Sequence, residues 1–149
     1  AHTFHWQFAP GEVVTGGSNV SYTFFDDGIY TVTVDVQDDD GGSGFASMSV
    51  TVQNEPPVAD AGPDMTADEG SEVQFIGSFF DPGVMDTHTF EWDFGDGTAG
   101  LDTLTPTHSY TDDGVYTVTL RVADDDGAVA FDTLTVTVVN KPPVVDIEF

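Results

Sequence analysis

The side chains with the most chemistry to offer in this 149-residue chain are carboxylates. Asp and Glu number 27, against the two cations Arg121 and Lys141, and the formal charge is -25. Many acids stand in runs that end on glycine, as in Asp38-Asp39-Asp40-Gly41 and Asp124-Asp125-Asp126-Gly127. Carboxylate oxygens on loops suit Ca²⁺, which takes about 6–8 oxygen ligands in loose geometry. Asp124-x-Asp126-Gly127 has part of the form of a calcium loop, but it is too short for an EF-hand and lacks the terminal Glu. The same charge repels nucleic acid and anionic lipid surfaces, so neither is expected as a partner.

Other chemistries find little support. The histidines are His2, His5, His88 and His108, and none forms a His-x-x-x-His pair suited to zinc. Cysteine is absent, which removes thiolate metal sites, redox chemistry and disulfides. No nucleophile-elbow motif ties a Ser to a His. Glu91 and Asp93 could mimic a glycosidase pair, but they flank Trp92 on a strand with no sign of a cleft. The expectation is a non-enzyme. No apolar run approaches ~20 residues, so no membrane insertion is expected. Ala1 to Phe8 lacks the basic start and apolar stretch of a signal peptide. Phe79-Phe80 and Phe24-Phe25 are adjacent aromatic pairs, so one member of each can face solvent and stack on a glycan, or plug the end of a core.

The elements that must position the acids are strands. Tyr116, Val118, Leu120 and Val122 alternate with Thr117, Thr119 and Arg121. Phe90, Trp92 and Phe94 alternate with Thr89, Glu91 and Asp93, and Leu134, Val136 and Val138 alternate with threonines. A period of two with β-branched residues and Gly/Asp punctuation marks strands. Asp112-x-Gly114-x-Tyr116 and Asp26-x-Gly28-x-Tyr30 have the form of a tyrosine corner, with Trp92 and Trp6 where a core tryptophan belongs. The fold class expected is all-β, an immunoglobulin-like antiparallel β-sandwich in tandem modules.

The tandem reading rests on a repeat. At an offset of 86 residues, His2-Thr3-Phe4-His5-Trp6-Gln7-Phe8 falls on His88-Thr89-Phe90-Glu91-Trp92-Asp93-Phe94 without a gap. Asn54-Glu55-Pro56-Pro57 falls on Asn140-Lys141-Pro142-Pro143, and each proline pair reads as a stiff linker. The expected organisation is a module over 1–54 without its first strands, a linker at 55–57, a complete module over 58–140, and the start of another repeat over 141–149. In such a sandwich the linker, the stretch Asp81 to Asp86 and the turn Asp124-Asp125-Asp126 share one pole.

Glu91-Trp92-Asp93-Phe94-Gly95-Asp96-Gly97-Thr98, then His108-Ser109-Tyr110, then Gly114-Val115-Tyr116-Thr117-Val118 resembles a polycystic kidney disease (PKD) domain. So does Pro57-Val58-Ala59-Asp60-Ala61-Gly62-Pro63. The first repeat departs from the pattern, since Trp6-Gln7-Phe8-Ala9-Pro10-Gly11 has lost both Asp positions. The resemblance implies modules of secreted or cell-surface proteins that act as spacers, adhesion units, or accessory domains beside enzymes. It also implies Ca²⁺ ligands drawn from the linker and two loops, which here are Asn54, Glu55, Asp81, Asp124 and Asp126.

The first module poses a physical problem. Residues 1–54 supply strands C to G of a sandwich but not A and B, and half a sandwich leaves an apolar face and unpaired edges. Upstream chain, a neighbouring module or a second copy donating a strand would complete it. Val145, Ile147 and Phe149 alternate with Asp146 and Glu148, so the tail reads as a strand. The function expected is a spacer, scaffold or filament unit of an extracellular repeat protein, stabilised by calcium. The alternative is an accessory domain that binds a glycan or matrix protein for an extracellular enzyme.

Overall fold

The structure is a computed structural model that describes residues 1–143 and 145. Among the described residues every regular element is a β-strand, and no helix is long and apolar enough to cross a membrane. The expected tail strand rests on Ile147 and Phe149, which lie outside the described residues. The chain divides into two compact units. Unit 1 comprises Ala1–Asn54 with Gly83–Met85, and unit 2 comprises Glu55–Pro82 with Asp86–Phe149.

Unit 1 is built on a single antiparallel sheet. Its strands are β1 (His2–Ala9), β2 (Glu12–Gly16), β3 (Gly28–Asp38) and β4 (Ser43–Val52), in the order β2-β1-β3-β4. Trp6 pairs with Val34, Val34 with Ala46, and Val32 with Met48. Directly opposed residues share a face, so these side chains form one apolar surface.

Unit 2 has two layers. Its first short strands are β5 (Val58–Asp60), β6 (Met65–Asp68), β7 (Glu72–Gln74) and β8 (Ser78–Phe80). They are followed by β9 (His88–Asp93), β10 (Ala99–Leu101), β11 (Thr107–Ser109), β12 (Gly114–Asp124) and β13 (Val129–Val139). One layer is a five-stranded sheet in the order β10-β9-β12-β13-β6, antiparallel except where β6 runs parallel to β13. In the other, β5 pairs with β8 and β7 with β11, both antiparallel. Between β7 and β8, the N–H groups of Phe75 and Gly77 donate to Pro106 and Leu104 carbonyls at 2.9 and 2.8 Å. Residues 72–80 therefore behave as one strand with an irregular middle. This is the expected immunoglobulin-like antiparallel sandwich.

The layers meet on a closed core. Phe75, Trp92, Val118, Leu120, Val122 and Val136 are each 0% exposed. The Phe75 ring lies 5.5 Å from Trp92 and 5.3 Å from Phe94. A Cβ on Gly77 would sit 2.7 Å from Trp92 Cζ2 and 2.9 Å from Leu120 Cδ2, so glycine there lets the sheets close. The buried polar tips are satisfied, as burial requires. Trp92 Nε1 donates to the Thr103 carbonyl at 3.0 Å, and the Tyr110 hydroxyl to the Phe94 carbonyl at 3.1 Å.

Both tyrosine corners are present. The Tyr30 hydroxyl donates to the Asp26 carbonyl at 2.9 Å, and Tyr116 to Asp112 at 3.1 Å. After β9 the acids hold a turn, as Asx-type bonding leads one to expect. Asp93 Oδ1 accepts from Gly95 N at 2.9 Å, and Asp96 Oδ1 from Thr98 N at 3.0 Å. Gly95 has φ +79° and its backbone lies against the Thr117 carbonyl, which a side chain would strike. Asp96 Oδ2 bonds His108 Nε2 at 2.7 Å, and the His108 ring stacks on Phe94 at 4.3 Å. In unit 1, Tyr22 takes the place of His108. It stacks on Phe8 at 4.3 Å and donates its hydroxyl to Glu12 at 2.8 Å. The first repeat lost its two Asp positions and kept the stack by another bond.

The two units bury equivalent residues very differently. Phe8 and Val32 are 7% and 4% exposed, with Tyr22 and Phe24 ringed about Phe8. Met48, however, is 58% exposed, while its equivalent Leu134 is 3%. The described part of unit 1 has no counterpart of β5 to β8, so the part of this face around Met48 is uncovered.

Two predictions follow from this contrast and from the turn. Leu134→Ala should cost about 2–5 kcal/mol in urea unfolding of unit 2, and Met48→Ala less than about 0.5. Equal effects would mean that both faces are buried. For Asp96, burial acts to raise the carboxyl pKa, but bonds from Thr98 and His108 outweigh it and hold it below the ordinary 3.8. A depressed pKa gives stability that is present above that value and lost as pH falls through the lower folded value. Asp96→Asn should therefore melt lower than wild type at neutral pH, and the gap should close as pH falls below 3.8. A gap that does not change with pH would rule out a contribution from the charged carboxylate.

Candidate metal centre

The register of β9 on β12 builds the acidic pole of unit 2. Asp124, the last residue of β12, pairs with His88, the first of β9. The residues just before His88 therefore run beside the β12–β13 turn. Asp124 N donates to the Ala128 carbonyl at 3.1 Å, and Asp124 Oδ1 accepts from Ala128 N at 2.7 Å. These bonds close the turn and fix the Asp124 carboxylate, whose residue is 8% exposed. Asp125 Oδ1 accepts from Thr87 N at 2.9 Å and binds the turn to the chain leading into β9. That bond is the largest cause of the lowered Asp125 pKa.

The third segment enters from β8. Asp81 follows Phe80, and its Oδ2 lies 2.8 Å from His88 Nε2. The Asp81 side chain is 3% exposed and that of His88 9%. The His88 ring packs on Phe79 at 4.5 Å, which gives the pair an apolar floor.

Carboxylate oxygens of Asp81, Asp86 and Asp124 all lie within 4.8 Å of one another. An oxygen of Asp86 is also within 4.8 Å of one of Asp126, which is exposed. Ligand oxygens about 2.3–2.6 Å from one Ca²⁺ can be no more than about 5.2 Å apart, so the spacing fits. The donor set is all oxygen, and a hard cation would relieve repulsion that rises as water is withdrawn. Backbone carbonyls or water would complete the shell.

Of the residues proposed from sequence, the structure brings Asp81 and Asp124 together and sets Asp126 next to Asp86. Asn54 belongs to unit 1, and Glu55 is exposed at the start of unit 2. Among the described residues, no acidic group of this spacing includes Glu55. Asp86 is the addition. Its signal was its place two residues before His88, which only the β9–β12 register sets beside Asp124. A second group, Glu69, Asp112 and Asp113, is tied to backbone. Glu69 Oε1 accepts from Lys141 N at 2.9 Å, and Asp112 Oδ1 from Asp113 N at 3.1 Å.

The other candidate chemistries take structural roles. Asp93 holds its turn, and His88 and His108 are each engaged by an aspartate. Each aromatic pair puts one ring outward, with Phe80 68% and Phe25 60% exposed. Phe79 packs on Phe90 at 5.3 Å and Phe24 on Tyr30 at 4.4 Å.

Comparison with known proteins fits this architecture. A microbial collagenase of Vibrio alginolyticus is 47% identical over 47 residues, 32% of this chain, which spans about 6% of that protein's length. The PKD1 domain of Vibrio anguillarum Epp superposes with a TM-score of 0.50 at 32% identity, over 60% of this chain and all of that one. The PKD domain of an M14-like peptidase from a Thermoplasmatales archaeon superposes with a TM-score of 0.53 at 21% identity, over 58% of this chain and 98% of that one. The PKD domain family model matches residues 1–52 and 54–138. That family is non-catalytic. With its corner tyrosines, core tryptophan and Asp-held turn, the chain belongs to the PKD domain family.

Proposed function

We propose that this chain is a calcium-stabilised, non-catalytic accessory module of an extracellular enzyme. The observation that carries the calcium reading is the convergence of Asp81 and Asp86, from the two ends of the β8–β9 connection, with Asp124 at the end of β12, within 4.8 Å. The accessory role draws on the relatives, one a collagenase and one the domain of a peptidase. They favour it over a pure spacer or filament unit. An extracellular setting agrees with the acidic surface, which keeps charge well away from zero. The outward rings of Phe80 and Phe25 offer flat contacts for a matrix polymer.

The calcium reading predicts a melting shift. A cation that binds only the folded state stabilises it by about 1.4 kcal/mol at ten times its Kd. Thermal melts in chelator and in millimolar Ca²⁺ should show unit 2 rising with Ca²⁺, and Asp86→Ala should abolish the rise. No shift at millimolar Ca²⁺ would overturn the site. The accessory role is read by co-sedimentation with insoluble collagen. Retention is expected, lowered by Phe80→Ala, and a chain left wholly in the supernatant is a spacer.

A further inference from the structure

The first repeat departs from the second most sharply at one turn. Unit 2 reads Asp93-Phe94-Gly95-Asp96, and the equivalent residues of unit 1 are Gln7, Phe8, Ala9 and Pro10. In unit 2 the glycine is required. A Cβ on Gly95 would sit 2.5 Å from the Thr117 carbonyl oxygen, and the backbone there has φ +79°. Ala9 carries that Cβ, so unit 1 cannot fold its turn back in the same way onto Thr31, the equivalent of Thr117. The chain reverses instead over Pro10-Gly11, where Gly11 has φ +87°, and Glu12 then pairs with Ala9. Proline followed by a positive-φ glycine is the sequence pattern of a type II turn.

The two positions that touch in unit 2 line an open groove in unit 1. The groove has a volume of about 450 Å³, and its lining includes Gln7, Ala9, Pro10, Ile29, Thr31 and Thr33. Gln7 pairs with Thr33, so both side chains stand on one face of the sheet. Ile29 and Thr31 share that face by alternation with Tyr30 and Val32. It is the face turned away from the core. The equivalent residues of unit 2 stay in contact with water although that module has both layers. Asp93 and Thr117 are exposed, and Val115 is 71% exposed beside 77% for Ile29. The groove therefore follows from the turn sequence and not from the presence or absence of a second layer.

Its chemistry is unlike that of the rest of the chain. No lining residue carries a charge, in a sequence with 27 acids. Where unit 2 has two carboxylates at this turn, unit 1 has an amide and a proline ring. The groove offers that amide and two hydroxyls, all able both to donate and to accept, beside the apolar surfaces of Ile29 and Pro10. An anion would be repelled by the net charge of -25 and would meet no cation in the lining. A cation would meet no carboxylate there. An extended peptide adds at a sheet edge, but β1 and β3 are both inner strands of the order β2-β1-β3-β4. A sugar ring has hydroxyls on its rim and an apolar C–H face, and the groove has partners for both. Its volume falls in the range of small-ligand sites.

We propose that the groove beside Pro10 is a binding site for a neutral saccharide unit. The Gln7 amide and the Thr31 and Thr33 hydroxyls bond the sugar hydroxyls, and the C–H face of the ring packs on Ile29 and Pro10. The site belongs to unit 1 alone, since Gly95 packed on Thr117 closes the same place in unit 2. It stands apart from the calcium reading and from the outward rings of Phe25 and Phe80.

The test uses the full chain, labelled with ¹⁵N, in chelator so that calcium plays no part. The neutral probes are cellohexaose, maltohexaose and hexa-N-acetylchitohexaose, with a heparin hexasaccharide as the anionic control. At least one neutral probe should give saturable shifts in the Gln7 side-chain amide and the Thr31 and Thr33 backbone amides. Thr117 and Thr119 should not move, and heparin should give no response. Thr31→Val keeps the shape and the strand preference of the residue, and should weaken binding about threefold to tenfold through one lost hydrogen bond. Thr117→Val, the equivalent change in unit 2, should leave binding as it is. The triple variant Gln7→Asp, Ala9→Gly, Pro10→Asp restores the turn residues of unit 2 and should abolish the shifts, with the Trp6 indole resonance reporting an intact sheet. No shifts with any neutral probe at millimolar concentration would overturn the proposal. So would shifts centred on Phe25 or on unit 2, heparin binding as tight as that of the neutral probes, or full binding by Thr31→Val and the triple variant.

Discussion

Gly77 has no side chain because Trp92 and Leu120 occupy the space one would need. This contact sets how closely the two layers of unit 2 approach, and much of the module depends on it. With the layers closed, Phe75 reaches both Trp92 and Phe94, and the alternate residues of β12 are removed from water. Each fully buried apolar side chain contributes about 1.5–3 kcal/mol before ordering costs. The short strands β5, β7, β8 and β11, of three residues each, would not hold without that interface. Their ladders are too brief, and packing on the longer sheet makes up the difference.

The same frame carries the acidic pole. Asp124 is buried because β12 runs two residues beyond Val122, its last position in the core cluster, and the pairing with His88 draws Asp81 and Asp86 in beside it. The carboxylates are thus placed by strands rather than by a flexible loop. His88 relieves part of the cost through its bond to Asp81, and the turn amides relieve more. The pole gathers like charge where water is scarce, an arrangement that stability alone would not favour. A structure that tolerates it must draw on the core beneath, where Phe79, Phe90 and His88 pack together.

Much of this was legible in the residues. The alternation of Tyr116, Val118, Leu120 and Val122 marked a strand with one buried face, and that face is the core. The corner tyrosines were legible because their bonds span only four residues. The Asp turn after Trp92 was legible for the same reason. What escaped depends on distant pairing. The strand order already set Asp86 at the pole of Asp124, but that its carboxylate rather than that of Glu55 joins the group depends on the β9–β12 register, which no local pattern encodes. Glu55 has the right charge, yet it stays exposed. The parallel pairing of β6 with β13 was equally hidden, since Met65–Asp68 carries the same alternation in either direction.

The repeat makes the sharper argument about cause, because one chain carries the same sheet twice. Trp6 and Trp92 hold the same indole bond, yet one is half-buried and the other wholly so. The difference cannot lie in the sheet residues, which alternate alike. It lies in whether a second layer is present to take them from water. Phe8 and Val32 show how far local sequence can compensate, since Tyr22 and Phe24 fold back to shield one end of this face without pairing as a strand. Met48 marks where that shielding stops. Period-two patterning specifies which face of a strand is to be buried. It does not specify what buries it, which in unit 2 is the layer of β5, β7, β8 and β11.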